Sequence, residues 1–369
     1  MAFYCRAAIV KTIYKIKDMN IKQKIKQMKI YCIYEEVKSI LRYIKYCYQN
    51  LIIKMEKKKI KVKFYMDDKV IDKIINENKS LVKYGDGEFF IMWKIKGNGF
   101  QEKNDELGNR LKEIIESNNK NILIGISKYY FYQNKKLKIE AKEFFTDFVY
   151  NYSSLLNKTI DINKIYADST ITRPYMDYKF CDIKNAKRRF DNLKKIWQDR
   201  NVIIVEGEYT RFGRNNDFLD NAKSIERIIC PSKNAFNVYK RIENAISKQD
   251  KRKLILVALG QTATVVGYDM SLKGYQCVDI GHADVEYMWF KMRAKDKVPI
   301  KGKYVNEAGE NDLSEENFID EEYEKQVIER IQSDEEWDKE RNNFRILRNS
   351  DKSTYSIFLY TNNATTYGK

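Results

Sequence analysis

Four short runs of branched and apolar residues constrain this chain more than anything else: 122–126 (ILIGI), 202–205 (VIIV), 227–230 (RIIC) and 254–259 (LILVAL). None alternates apolar with polar. A strand with one wetted face alternates with period two, whereas a continuous apolar run of strand length is covered on both faces. Helix-spaced segments lie between the runs, at 190–198, 235–247 and 263–273. Strands alternating with helices predict an α/β fold, with a mostly parallel sheet and helices on both faces. Residues 165–171 read as a further strand. Residues 69–78 and 107–117 read as helices, and 131–156 as aromatic-rich helices.

The two ends differ from this middle. Residues 1–63 hold 17 Lys/Arg against 4 Asp/Glu, so this stretch supplies +13 of the chain's net charge of +17. Ile21, Ile25, Met28 and Cys32, then Val37, Ile40, Leu41, Ile44 and Tyr48, recur at spacings of three and four. That pattern predicts a basic amphipathic helical arm over 1–63. Such a helix can lie on an anionic membrane surface, or pack on the body or on a second subunit of a homo-oligomer. Residues 64–310 form the expected main domain. Residues 311–369 read as an acidic peripheral helix followed by a polar tail. With positive charge confined to the arm and no nucleic-acid motif, nucleic acid is not an expected partner.

Six cysteines lie far apart with no C-x-x-C pair, which excludes a zinc ribbon and argues against a disulfide scaffold. There is one histidine, His282, so His-rich metal centres are excluded. No apolar run is long enough to span a bilayer, and no signal-peptide pattern opens the chain. The expectation is a cytoplasmic protein, peripheral at most on the inner face of the cell membrane.

In open parallel sheets, ligands bind beyond the carboxyl ends of the strands, so the loops after the runs carry the candidate chemistry. Tyr84-Gly85-Asp86-Gly87-Glu88-Phe89 places two carboxylates two residues apart among glycines. In an extended segment both would point to one face, as hard oxygen ligands for Mn²⁺ or Mg²⁺. Glu206-Gly207-Glu208-Tyr209-Thr210-Arg211 follows one run, and Gly260-Gln261-Thr262 opens a helix with small residues suited to an anion. Gly281-His282-Ala283-Asp284-Val285-Glu286 supplies a histidine and two carboxylates, and Lys301-Gly302-Lys303 supplies two cations. No G-x-G-x-x-G or Walker lysine occurs, so dinucleotide and P-loop chemistry are not supported. Together the loops suit a nucleotide-diphosphate donor: cations neutralise a leaving diphosphate, and a carboxylate or histidine deprotonates an acceptor hydroxyl.

Eight blocks in order, among them YGDGE at 84–88, TRPY at 172–175, VEGEYTRFG at 205–213, ALGQTA at 258–263, DIGHADVEY at 279–287 and KGKYVNE at 301–307, resemble the GT-D-type glycosyltransferases of bacterial surface-glycan and adhesin-glycosylation clusters. The resemblance spans roughly 66–310. It implies a single Rossmann-like domain, a UDP-sugar donor, a glycan, glycolipid or glycoprotein acceptor, and a D-x-E metal motif at Asp86 and Glu88. By position it implies that Arg173, Thr210 and Arg211 line the donor site and that Lys301 or Lys303 meets the diphosphate; Glu208, Gly260 and Thr262, from the loops after the apolar runs, join them as donor-binding candidates. His282, Asp284 and Glu286 are the base candidates. Where the family often has arginine before the aromatic of the D-x-E block, this chain has Lys83. The alternative expectation is a non-catalytic nucleotide-sugar-binding or scaffolding module.

Overall fold

The computed structural model describes residues 21–305, 307–308 and 320–333. The start of the basic arm and the polar tail therefore lie outside the described residues. Nine strands, β1 (Lys63–Phe64), β2 (Ser80–Tyr84), β3 (Ile122–Ile126), β4 (Ile165–Asp168), β5 (Asn201–Gly207), β6 (Ser224–Cys230), β7 (Leu254–Ala258), β8 (Gln276–Asp279) and β9 (Val327–Arg330), form one sheet. The order is β1-β4-β3-β2-β8-β7-β5-β6-β9, and every pairing within the sheet is parallel. Among the described residues ten α-helices accompany them: α1 (Ile21–Met55), α2 (Asp67–Asn76), α3 (Asp86–Met92), α4 (Asp105–Glu116), α5 (Ile139–Thr159), α6 (Ile183–Lys194), α7 (Tyr239–Ser247), α8 (Thr262–Leu272), α9 (Ala283–Lys291) and α10 (Glu321–Gln326).

The apolar runs bury both faces, as continuous runs require. Val202, Ile204, Leu254, Leu256 and Val278 join one core layer with Val70 and Ile74 of α2, Phe190 of α6 and Trp289 of α9. Their odd or even neighbours, Ile203, Val205, Ile255, Val257 and Cys277, pack on the other face with Ile242 of α7 and Val266 of α8. On that second face aromatic rings from α3 and α5, with leucines and isoleucines of α4, cover β2 and β3.

Two features depart from the sequence reading. Residues 165–171 are strand only to Asp168, where the Asp168 carboxylate accepts from the Thr170 N–H and starts a 3-10 turn. Among its described residues the acidic segment is helical in α10; Val327–Arg330 then pairs with the edge of β6 and Ile331 N–H bonds Ile229 O. A free strand edge offers unpaired backbone groups, and that gain outweighs helix continuation here. The sheet therefore extends past residue 310. The arm is docked rather than separate: α1 packs on α5 through Arg42–Glu143, Lys45–Asp147 (2.7 Å) and a 2.6 Å bond from Gln49 to Asp147.

Candidate functional site

The chain order fixes where a ligand can enter. From β2 the chain moves to β3 and β4 on one side of the sheet. From β8, its hydrogen-bonded neighbour, it leaves through α9 and ends at the opposite edge in β9. The loops after β2 and β8 thus diverge, and a crevice opens between them at the carboxyl ends of the strands. A cavity of about 780 Å³ occupies it, within the range of small-molecule sites.

Asp86 and Glu88 both line this cavity, but not by the extended geometry expected from their spacing. The chain turns helical at once after Gly85, so they sit at the first and third positions of α3. Glu88 folds back so that its Oε2 accepts from the Gly85 N–H at 2.7 Å. Gly87 between them faces the amides of Gln261 and Asn98; a Cβ there would stand 2.3 Å from Gln261 Nε2 and 2.9 Å from Asn98 Nδ2. Burial raises the Asp86 carboxyl and pushes Glu88 up to about 7, against the lowering by backbone N–H groups.

Three carboxylates near them in the crevice, Asp279, Asp284 and Glu307, have cations. Asp279, at the end of β8, lies 3.3 Å from Lys83 Nζ, which also donates to Thr172 Oγ1 at 2.7 Å. Lys83 therefore bridges the ends of β2, β8 and the loop after β4 without an arginine fork. Glu307 accepts two bonds from Arg173, at 2.7 and 3.0 Å, and its carboxyl is held well below the usual range by that guanidinium despite burial. Among the described residues no lysine or arginine makes an ion pair with Asp86 or Glu88.

His282 also lines the cavity, with its ring edge-on to Phe100. Burial first, and then Arg173, pushes it down to about 4, so it is neutral at neutral pH. Asp284 reaches the cavity wall, yet its oxygens are engaged: Oδ1 accepts from Gly213 N–H (2.9 Å) and Asn216 Nδ2 (2.8 Å), and Oδ2 pairs with Lys303. Both partners of that pair are buried, and burial lowers the Lys303 ammonium. Glu286 lies behind the wall. Its Oε2 accepts from Tyr175 N–H (3.0 Å) and Met176 N–H (2.7 Å), and its Oε1, 3.6 Å from Arg173, has no hydrogen bond. Burial raises its carboxyl.

Of the remaining candidates, Arg173, Thr210 and Gly260 line the cavity. Glu208, Arg211, Thr262, Lys301 and Lys303 do not. Arg211 donates to Gly302 O at 2.7 Å, and Thr262 is buried against Gln101. The loop carrying Thr210 is fixed by Glu206, which accepts from Phe212 N–H (2.6 Å), Arg227 (2.6 Å) and Tyr323 Oη (3.0 Å) in a fully buried network. Sequence reasoning assigned no role to Asp279, Gln261, Phe100 or Glu307, although all but Phe100 lie in a block it quoted. The available signal was position: Asp279 is the last residue of an apolar strand.

A second cavity, about 470 Å³, lies between α1, α3 and α5 and shares Asp86, Glu140 and Phe144 with the first. Aromatic rings (Tyr46, Tyr152) and polar groups (Gln49, Asn151) line it together.

An open parallel α/β fold with a carboxylate-bearing, cation-ringed crevice at its switch point has a cavity where such sheets place their ligand site. The comparisons with known proteins narrow this. The family model for the glycosyltransferase GT-D fold matches residues 81–308. The "Glycosyltransferase GlyD" of Streptococcus pneumoniae serotype 4 is 36% identical over 268 residues, 72% of this chain and 32% of the relative. The "Probable glycosyl transferase Gly" of Streptococcus gordonii is 36% identical over 245 residues, 65% of this chain and 35% of the relative. This chain thus spans about a third of the length of these curated relatives. A solved structure of domain of unknown function 1792, described as a distinct glycosyltransferase fold, superposes with a TM-score of 0.68 at 33% identity, covering 73% of this chain and 96% of that one. Another, a glycosyltransferase from Streptococcus sanguinis, gives 0.66 at 30% identity, covering 74% and 100%. The chain belongs to the GT-D-fold glycosyltransferase family.

Proposed function

We propose that this chain is a metal-dependent glycosyltransferase that moves a sugar from a UDP-sugar to a hydroxyl of a glycan or glycoconjugate in bacterial surface-polysaccharide or glycoprotein assembly. One observation carries the reading. Asp86 and Glu88 face the switch-point cavity as carboxylates without a cationic side chain, while Asp279, Asp284 and Glu307 beside them are each paired. Burial that raises both acids is relieved by a divalent cation. Two hard oxygen donors fit Mn²⁺ or Mg²⁺, which commonly takes one or two carboxylates and completes its shell with water and phosphate. Bound there, the ion would neutralise charge on a departing diphosphate.

The chain's own groups do the rest. Lys83 and Arg173 supply positive charge to the crevice from fixed ion pairs. Phe100 and Tyr304, edge-to-face at 5.4 Å, offer an apolar wall to the uridine. His282 is the base candidate that lies on the cavity and is neutral; an anionic ligand nearby raises its basicity. The acceptor approaches through the second cavity, whose mixed rings and amides suit a hydroxyl-rich sugar. Names of the streptococcal relatives support transfer of a sugar.

The test is a screen of UDP-glucose, UDP-galactose and UDP-N-acetylglucosamine with released UDP as readout. UDP release is expected with Mn²⁺, lost in EDTA, and lost in Asp86→Ala with Glu88→Ala while the melting curve is retained. Release that persists in EDTA would overturn the metal role. UDP-sugar binding without any turnover would favour the non-catalytic module.

A further inference from the structure

Apart from Ile53 of its last turn, which is buried in the core, helix α1 turns mostly polar groups to the protein. Its side toward α5 carries Arg42, Tyr46 and Gln49, in ion pairs, a hydrogen bond and the wall of the second cavity. Its outer side carries Val37, Leu41, Ile44, Tyr48, Leu51 and Met55, with relative exposures from 48% to 68%. At about 100° per residue these six fall within about 80° of arc, and they run ~27 Å along the helix. Ile40, 58% exposed, widens the stripe. Scattered exposed apolar residues are ordinary, but a continuous stripe of this length marks an interaction surface.

We propose that this stripe seats α1 in the interface of an anionic lipid bilayer, as a helix lying in the membrane plane. Charge selects that occupant. At the positions that flank such a seam when two helices coil together, the charged residues are Lys38, Lys54 and Lys45, the last already paired with Asp147 of α5. On the straight helix Glu36 and Glu56 share the angles of Lys54 and Lys38, and coiling carries them further round. A second copy would bring lysine rows together without the opposite charges that coiled coils place there. An anionic surface meets the surplus of positive charge favourably: the first 63 residues carry 17 Lys/Arg against 4 Asp/Glu. No described helix is long and apolar enough to cross a membrane, so α1 lies on the bilayer rather than through it. In this pose the inner face of α1 still walls the cavity that shares Asp86.

The full chain is spun with vesicles of phosphatidylcholine alone and of equimolar phosphatidylcholine and phosphatidylglycerol. Sedimentation with the anionic vesicles only is expected, with partial release at high salt. Ile40→Asp, Ile44→Asp and Leu51→Asp combined should weaken it by about tenfold or more, and circular dichroism and the melting curve should stay unchanged because the replaced side chains are exposed. Lys38→Glu with Lys54→Glu should weaken it as well. Equal binding to both vesicle types would overturn the charge argument. A chain that ignores both vesicles overturns the proposal. If it is then a dimer by light scattering and the triple variant is a monomer, the stripe joins two copies.

Discussion

Replacing Lys303 by methionine should damage the fold before it damages ligand binding. Lys303 and Asp284 are each about 2% exposed at the side chain and pair with one another inside the protein. Methionine fills similar space but leaves the Asp284 carboxylate with only two neutral donors, Gly213 N–H and Asn216. Breaking a buried pair from one side costs about 3–5 kcal/mol, since the remaining charge keeps its desolvation penalty. For a chain of this size that corresponds to a melting temperature lower by on the order of 10 °C. Removing the charge as well, in Lys303→Met with Asp284→Asn, keeps the oxygen that accepts from Gly213 and Asn216. A double-mutant cycle should therefore return a favourable coupling of about 2 kcal/mol or more. The assay is urea unfolding followed by tryptophan fluorescence, with UDP titrated calorimetrically into each folded variant. If Lys303→Met melts like the wild type and loses UDP binding, Lys303 reaches the ligand and the buried-pair reasoning fails.

Three other outcomes follow from the same geometry. Gly87→Ala forces the Gln261 and Asn98 amides outward, so UDP binding should fall at least tenfold with a stability loss of about 1–3 kcal/mol, checked by calorimetry and thermal melting. Glu286 is buried with a raised carboxyl, so the folded state holds its proton more tightly than the unfolded chain; this group's contribution is lost as pH rises from the ordinary glutamate range through the raised value. Glu286→Gln keeps an oxygen for Tyr175 and Met176, and its stability at neutral pH relative to pH 4.5 should exceed the wild type's by on the order of 1–3 kcal/mol, read by urea unfolding at both pH values. Arg227→Met strands the Glu206 carboxylate that fixes the Thr210 loop, and should cost about 3–5 kcal/mol, measured by urea unfolding.

The sheet was legible because its signal is local. Runs such as 202–205 and 254–259 carry burial on both faces in their own composition, and five of the nine strands contain a run or segment read that way before the fold was known. Val327–Arg330 was not legible, because its strand character depends on the vacant edge of β6, which lies far away in sequence. Asp86 and Glu88 were found through their glycines, while the turn into helix after Gly85 defeated the assumed extended geometry. The charged residues near strand ends were ambiguous for a different reason. Asp284, Glu286 and Lys303 sit beside the right loops, yet Asp284 meets Gly213 from 71 positions away, Glu286 meets Tyr175 from 111, and Lys303 closes on Asp284 from 19. The apolar spacing of α1 predicted a helix, but spacing alone could not say which face meets the body.

The central claim is that Asp86 and Glu88 hold a divalent cation beside the diphosphate of a nucleotide in the crevice between β2 and β8. Crystals grown with Mn²⁺ and UDP and measured at the manganese absorption edge test it most directly. An anomalous peak is expected between these two carboxylates and the diphosphate oxygens. UDP bound in the crevice with no manganese near either acid, or manganese and UDP bound elsewhere on the protein, would contradict it.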